Sequence, residues 1–85
     1  MYKLFIANNK TEKKLKDYIK IRPDIKRKLD SLKLDPYKSC GSHLLHGKLK
    51  GKRACWLGSN IRMIFSINEE SKTIFIEAVG SHKIY

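Results

Sequence analysis

Between His43 and Arg53 the chain reads HLLHGKLKGKR, which places Lys48, Lys50 and Lys52 at every second position; no Asp or Glu occurs from residue 36 to residue 68. Alternate residues of an extended segment share one side. The spacing therefore predicts a row of ammonium groups, continued by Arg53, that suits a phosphodiester backbone. Lysines alone give affinity without sequence choice. Cleaving a phosphodiester without a metal needs a base for the attacking proton, an acid for the leaving oxygen, and a cation to hold the charge that develops on phosphorus. His43, His82 and Tyr85 are the candidate proton carriers, and Arg53 and Arg62 the candidate charge clamps. Arg62, between Ile61 and Met63, is a poor choice for packing; either it pairs with Glu77 across a sheet or it is placed to bind an anion.

Other chemistries find little support. His43, His46 and His82 do not form a ligand spacing such as H-x3-H, and the acid-free stretch supplies no carboxylate to complete a zinc or magnesium site, so no metal is expected. Cys40 and Cys55 read as reduced thiols. There is no phosphate-binding glycine loop, no nucleophile elbow and no internal repeat, and no cofactor is expected.

The chain has 85 residues, which predicts one small domain over 1–85, without the depth to enclose a large substrate cavity. Its 41% apolar and 32% charged residues exclude a disordered chain, and the longest run free of Asp, Glu, Lys and Arg, Ser39 to Gly47, is far short of a membrane span. With no secretory pattern at Met1, the expected location is the cytoplasm. The formal net charge is +11, and all of the excess lies in residues 1–53, which hold 16 basic side chains against five acidic ones. A field of that sign draws the protein to polyanions such as nucleic acid or an acidic protein.

The positioning elements follow from periodicity. Tyr2, Leu4 and Ile6 alternate with Lys3, Phe5 and Ala7 as in a half-buried strand. Thr11 is a candidate N-cap for a helix with Leu15, Tyr18 and Ile19 on one face; Pro23-Asp24 restarts a second helix with Ile25, Leu29 and Leu32, stopped at Asp35-Pro36. Asp35 to Gly51 reads as a loop interrupted by Leu44-Leu45. Strands are then expected at Arg53–Leu57, Ile61–Ile67 and Thr73–Val79, with Trp56 in the core and Gly80 releasing a short tail. The order β-α-α-β-β-β predicts an α+β two-layer sandwich, a helical hairpin packed on a mainly antiparallel four-stranded sheet. On the second of those strands Arg62 faces away from Ile61, Met63 and Phe65.

This order, with LHGKLKGKR before the strands, IRMIFSI within them and GSHKIY at the end, resembles the RelE/ParE superfamily of type II toxins, and within it the RelE/StbE and YafQ-like mRNA-cleaving branch. The resemblance implies a ribosome-dependent, metal-independent endoribonuclease. Its partners would be a cognate acidic antitoxin and, in the ribosomal A site, mRNA and ribosomal RNA; the mRNA's own 2′-hydroxyl would attack the adjacent phosphate and so stop translation. On this resemblance His43 matches the histidine of an H-P-L-x-G segment with Leu44 in place of proline, His82 the histidine of a terminal G-[ST]-H, Tyr85 an aromatic residue that stacks on a base, and Arg62 the strand arginine. Lys48, Lys50, Lys52 and Arg53 match the segment that contacts ribosomal RNA. The chain departs from the YafQ-like pattern at Trp56, Asn60 and Ala78, where that pattern has histidine, aspartate and arginine. A ParE-like DNA gyrase inhibitor and a non-catalytic RNA-binding module are the alternative readings.

Overall fold

The computed structural model describes residues 1–58 and 60–81, with β1 (Lys3–Ile6), α1 (Asn9–Ile21), α2 (Asp24–Leu34), β2 (His43–Leu44), β3 (Arg53–Trp56), β4 (Ile61–Asn68) and β5 (Thr73–Ser81). Alternation explains the strands. In β4, Ile61, Met63 and Phe65 are buried under the helices, while Arg62 and Ser66 lie on the other face. The helices follow the 3.6-residue period: Leu15 of α1 and Ile25, Leu29 and Leu32 of α2 meet Cys55, Met63, Phe65, Ile74, Ile76 and Val79 of the sheet. Each such buried aliphatic or aromatic side chain contributes roughly 1.5–3 kcal/mol. Arg22 leaves the helical region (φ −130°, ψ 84°) because Pro23 follows it, which ends α1 and lets α2 fold back. Among the described residues, no helix is long and apolar enough to cross a membrane.

The sheet order is β1-β5-β4-β3-β2. β1 runs parallel to β5 and every other neighbouring pair is antiparallel. This is the expected α+β sandwich, with three differences. The sheet has five strands rather than four, because His43 and Leu44 pair with Ala54 and Arg53 inside the segment read as loop; two residues are too few for alternation to register in a sequence. β5 continues through Gly80 to Ser81, opposite Arg62 and Ile61, since the ladder offered by β4 outweighs the roughly 0.5–1 kcal/mol that glycine costs in a strand. The N-cap of α1 is Asn8, whose Oδ1 accepts the Thr11 N–H at 2.8 Å; Thr11 lies buried one turn on, and its hydroxyl donates to the Glu77 carbonyl at 3.2 Å, fastening α1 to β5.

Candidate functional site

The helices cover one face of the sheet; the other is open at its rims, where Lys3, Phe5 and His43 are exposed, while Ala54 and Ile64 at its centre are buried. On that open face Trp56 and Arg62 are direct cross-strand partners, and the Arg62 guanidinium lies over the Trp56 ring with Cζ 4.1 Å from its centroid. Both are half-buried. A guanidinium stacked at that distance gains about 0.5–2 kcal/mol. It is also held in place, which an anion clamp needs more than it needs raw affinity. Trp56 is therefore not part of the core, contrary to the expectation: it shares the open face with Ala54, and its ring is the seat of Arg62.

His43 stands on the same face, one row along. It pairs with Ala54, which pairs in turn with Ile64; with strands about 4.8 Å apart and residues about 3.4 Å apart, the Cα atoms of His43 and Arg62 are roughly 12 Å from one another. The His43 Nδ1 lies 3.0 Å from the Gly41 carbonyl oxygen. A carbonyl can only accept, so Nδ1 carries the proton and the neutral ring keeps its lone pair on Nε2. His43 is exposed.

Gly41 links these groups. Its φ is +67°, a conformation that favours glycine, and a Cβ there would lie 3.2 Å from Trp56 Cδ1. The tight turn at Cys40 and Gly41 thus lets the chain pass close to the indole and then enter β2 with His43 on the open face.

The basic run divides. Residues Gly47–Leu49 form a 3₁₀ turn, so Lys48, Lys50 and Lys52 are not the regular row that an extended segment predicts. Lys48 and Lys50 are exposed. The Lys52 ammonium is bonded to the Glu77 carboxylate, the acid considered as a cross-sheet partner for Arg62. Arg53 lies on the helix side, beside Phe65 in register. Its Nε donates to Ser42 Oγ at 2.9 Å, its Nη2 to the Tyr37 carbonyl at 3.0 Å, and its Cζ lies 5.2 Å from the Tyr37 ring centroid. Arg53 thereby clamps the segment that delivers His43, a positioning role that its place in the lysine run did not disclose.

That clamp extends to the hairpin between β4 and β5. The hydroxyls of Tyr37 and Tyr2 (the latter at 2.7 Å) donate to Glu69 Oε2, and Lys72 Nζ donates to Oε1 at 2.8 Å. These three donors, Lys72 foremost, hold the Glu69 carboxyl down at about 2, and the Glu69 carboxylate pushes the Tyr37 hydroxyl up to about 12. Asn60 is exposed beside the turn into β4, and Ala78 is opposite Ile64 on the open face. His82 and Tyr85 lie outside the described residues.

The same arrangement of helices and sheet occurs in solved toxin structures. The metal-bound toxin from Helicobacter pylori superposes with a TM-score of 0.74 over 100% of both chains at 25% identity. The YoeB/ParE toxin from Agrobacterium tumefaciens matches with a TM-score of 0.75 over 94% of this chain and 98% of that one, at 12% identity. The chain has the RelE/ParE toxin fold. The toxin–antitoxin complex RelBE2 from Mycobacterium tuberculosis contains it as well, with a TM-score of 0.61 over 95% of this chain and 98% of that one, at 18% identity. No family model and no curated protein matches the sequence.

Proposed function

We propose that this protein is the toxin of a type II toxin–antitoxin pair and that it works in the cytoplasm as a ribosome-dependent, metal-independent endoribonuclease on mRNA. The observation that carries the reading is the open sheet face, where Arg62 is seated on Trp56 with the His43 imidazole one row away. The RelE/ParE fold and the toxin–antitoxin complex of the same fold support the toxin class and an acidic antitoxin that holds it silent. A net charge of +11 supports both an acidic partner and an RNA substrate.

In this reading the 2′-hydroxyl oxygen of the mRNA bonds to the adjacent phosphorus and the bond from phosphorus to the 5′ oxygen breaks, leaving a 2′,3′-cyclic phosphate and a 5′-hydroxyl. His43 Nε2 takes the 2′ proton. His82, from the end of the chain, returns a proton to the leaving oxygen, and Tyr85 stacks on a neighbouring base. Arg62 holds the charge on the phosphorane, with a forked geometry that an ammonium cannot reproduce. Lys48 and Lys50 contact ribosomal RNA, while Lys52 and Arg53 hold the segment that carries them.

The test is expression without the antitoxin, with mRNA 5′ ends mapped and gyrase activity followed in the same cells. Fragments ending in translated codons while supercoiling continues are expected. Intact mRNA with gyrase trapped on cleaved DNA would assign the protein to the ParE-like alternative, and intact mRNA with RNA still bound would make it a non-catalytic module.

A further inference from the structure

At the far end of the open face from Arg62, Phe5 of β1 and Phe75 of β5 are register partners whose rings meet edge to face, with centroids 5.5 Å apart at 65°. Their neighbours Leu4, Ile6, Ile74 and Ile76 point into the core, so both phenylalanines point away from it. Phe5 is 56% exposed. Two phenylalanines turned outward, one of them on an edge strand, invite aggregation and add nothing to the core. Lys3, also exposed, alternates onto the same face two residues before Phe5. An edge-to-face pair leaves a ring face uncovered by its partner, and with a cation beside it the patch matches the stacking platforms that hold single-stranded nucleic acid.

Register connects the patch to the candidate site. Phe75 pairs with Ser66, and Arg62 lies four residues back along β4, which places the Cα atoms of Phe75 and Arg62 roughly 14 Å apart on one face. That is the reach of a few extended nucleotides. Between them, Lys52 neutralises Glu77. We infer that Phe5 and Phe75, with Lys3, form a base-stacking subsite for single-stranded RNA that extends the site at Arg62 across the sheet. The inference rests on the RNA-cleaving reading for its substrate class.

The experiment measures a fluorescent hexauridine probe binding to the full chain by anisotropy at fixed low salt, beside cleavage of a translated mRNA. Phe5→Leu and Phe75→Leu keep apolar bulk and remove the ring. Each should weaken probe binding by about five- to 150-fold if its ring carries a base. The salt dependence should not change, because no phosphate contact is lost. Phe5→Tyr should bind like the parent, and circular dichroism melting of each variant establishes that it is folded. Unchanged binding in both folded leucine variants overturns the subsite, whatever the cleavage result. Loss of a dimer in sedimentation, with probe binding intact, also overturns it and assigns the patch to a second copy of the chain. Ring-dependent probe binding by a parent that leaves translated mRNA intact upholds the subsite and removes the cleavage reading instead.

Discussion

If the Trp56 ring seats the Arg62 guanidinium, the two side chains must be energetically coupled. With Cζ 4.1 Å from the ring centroid and both residues half-buried, the stacking lies between the exposed and desolvated limits, at about 1 kcal/mol. A double-mutant cycle of Trp56→Leu and Arg62→Met isolates it, since leucine and methionine keep apolar bulk on the face while removing ring and charge in turn. Each single variant should melt lower than the parent, and the double variant should lose about 1 kcal/mol less than the sum of the two. For a chain of 85 residues that coupling is a discrepancy of about 4–8 °C in melting temperature. Urea unfolding followed by circular dichroism is the suitable assay, because Trp56 is the sole tryptophan and its fluorescence is lost in two of the four proteins. Additivity within about 0.3 kcal/mol would refute the seat, and with it the claim that Trp56 positions Arg62.

Other outcomes follow from the same geometry. Glu69→Gln should lower the melting temperature at neutral pH; because the Glu69 carboxyl is depressed to about 2, the stability it contributes is present above the ordinary carboxylate range and lost as pH falls through about 2, so the gap between parent and variant should close over that interval in an acid melting series. Gly41→Ala, with φ at +67° and the new Cβ 3.2 Å from Trp56 Cδ1, should cost about 1–2 kcal/mol in denaturant unfolding and shift the Trp56 emission. Replacing Lys48 and Lys50 together with glutamine should reduce the slope of log affinity against log salt for single-stranded RNA by about 1.4, while Lys52→Gln should act mainly on the melting temperature through its pairing with Glu77. His82→Ala should slow mRNA cleavage roughly 10²–10⁴-fold, and Tyr85→Phe should retain activity that Tyr85→Ala loses.

The layers were legible because burial imposes periods: Ile61, Met63 and Phe65 at spacing two and Ile25, Leu29 and Leu32 at helical spacing all reached the core as read. Arg62 could be assigned to the open face from the same alternation. Its seat was within reach too, since a hairpin turning between Leu57 and Ile61 sets Trp56 opposite Arg62, but alternation with Ala54 argued for the core. What could not be read depended on contacts distant in sequence. The lysine run looked uniform until the Gly47–Leu49 turn broke its alternation, Lys52 met Glu77 and Arg53 met Tyr37. The two-residue strand at His43 has no pattern of its own and exists because Arg53 and Ala54 supply a partner.

The most direct test of Arg62 as the clamp on the scissile phosphate is single-turnover cleavage of mRNA on purified ribosomes by the parent, Arg62→Ala and Arg62→Lys, with ribosome affinity measured on the same preparations. The rate should fall in Arg62→Ala with little change in affinity, and Arg62→Lys should recover only part of it, because the interaction forms mainly in the transition state. Parent-like cleavage by folded Arg62→Ala would contradict the account.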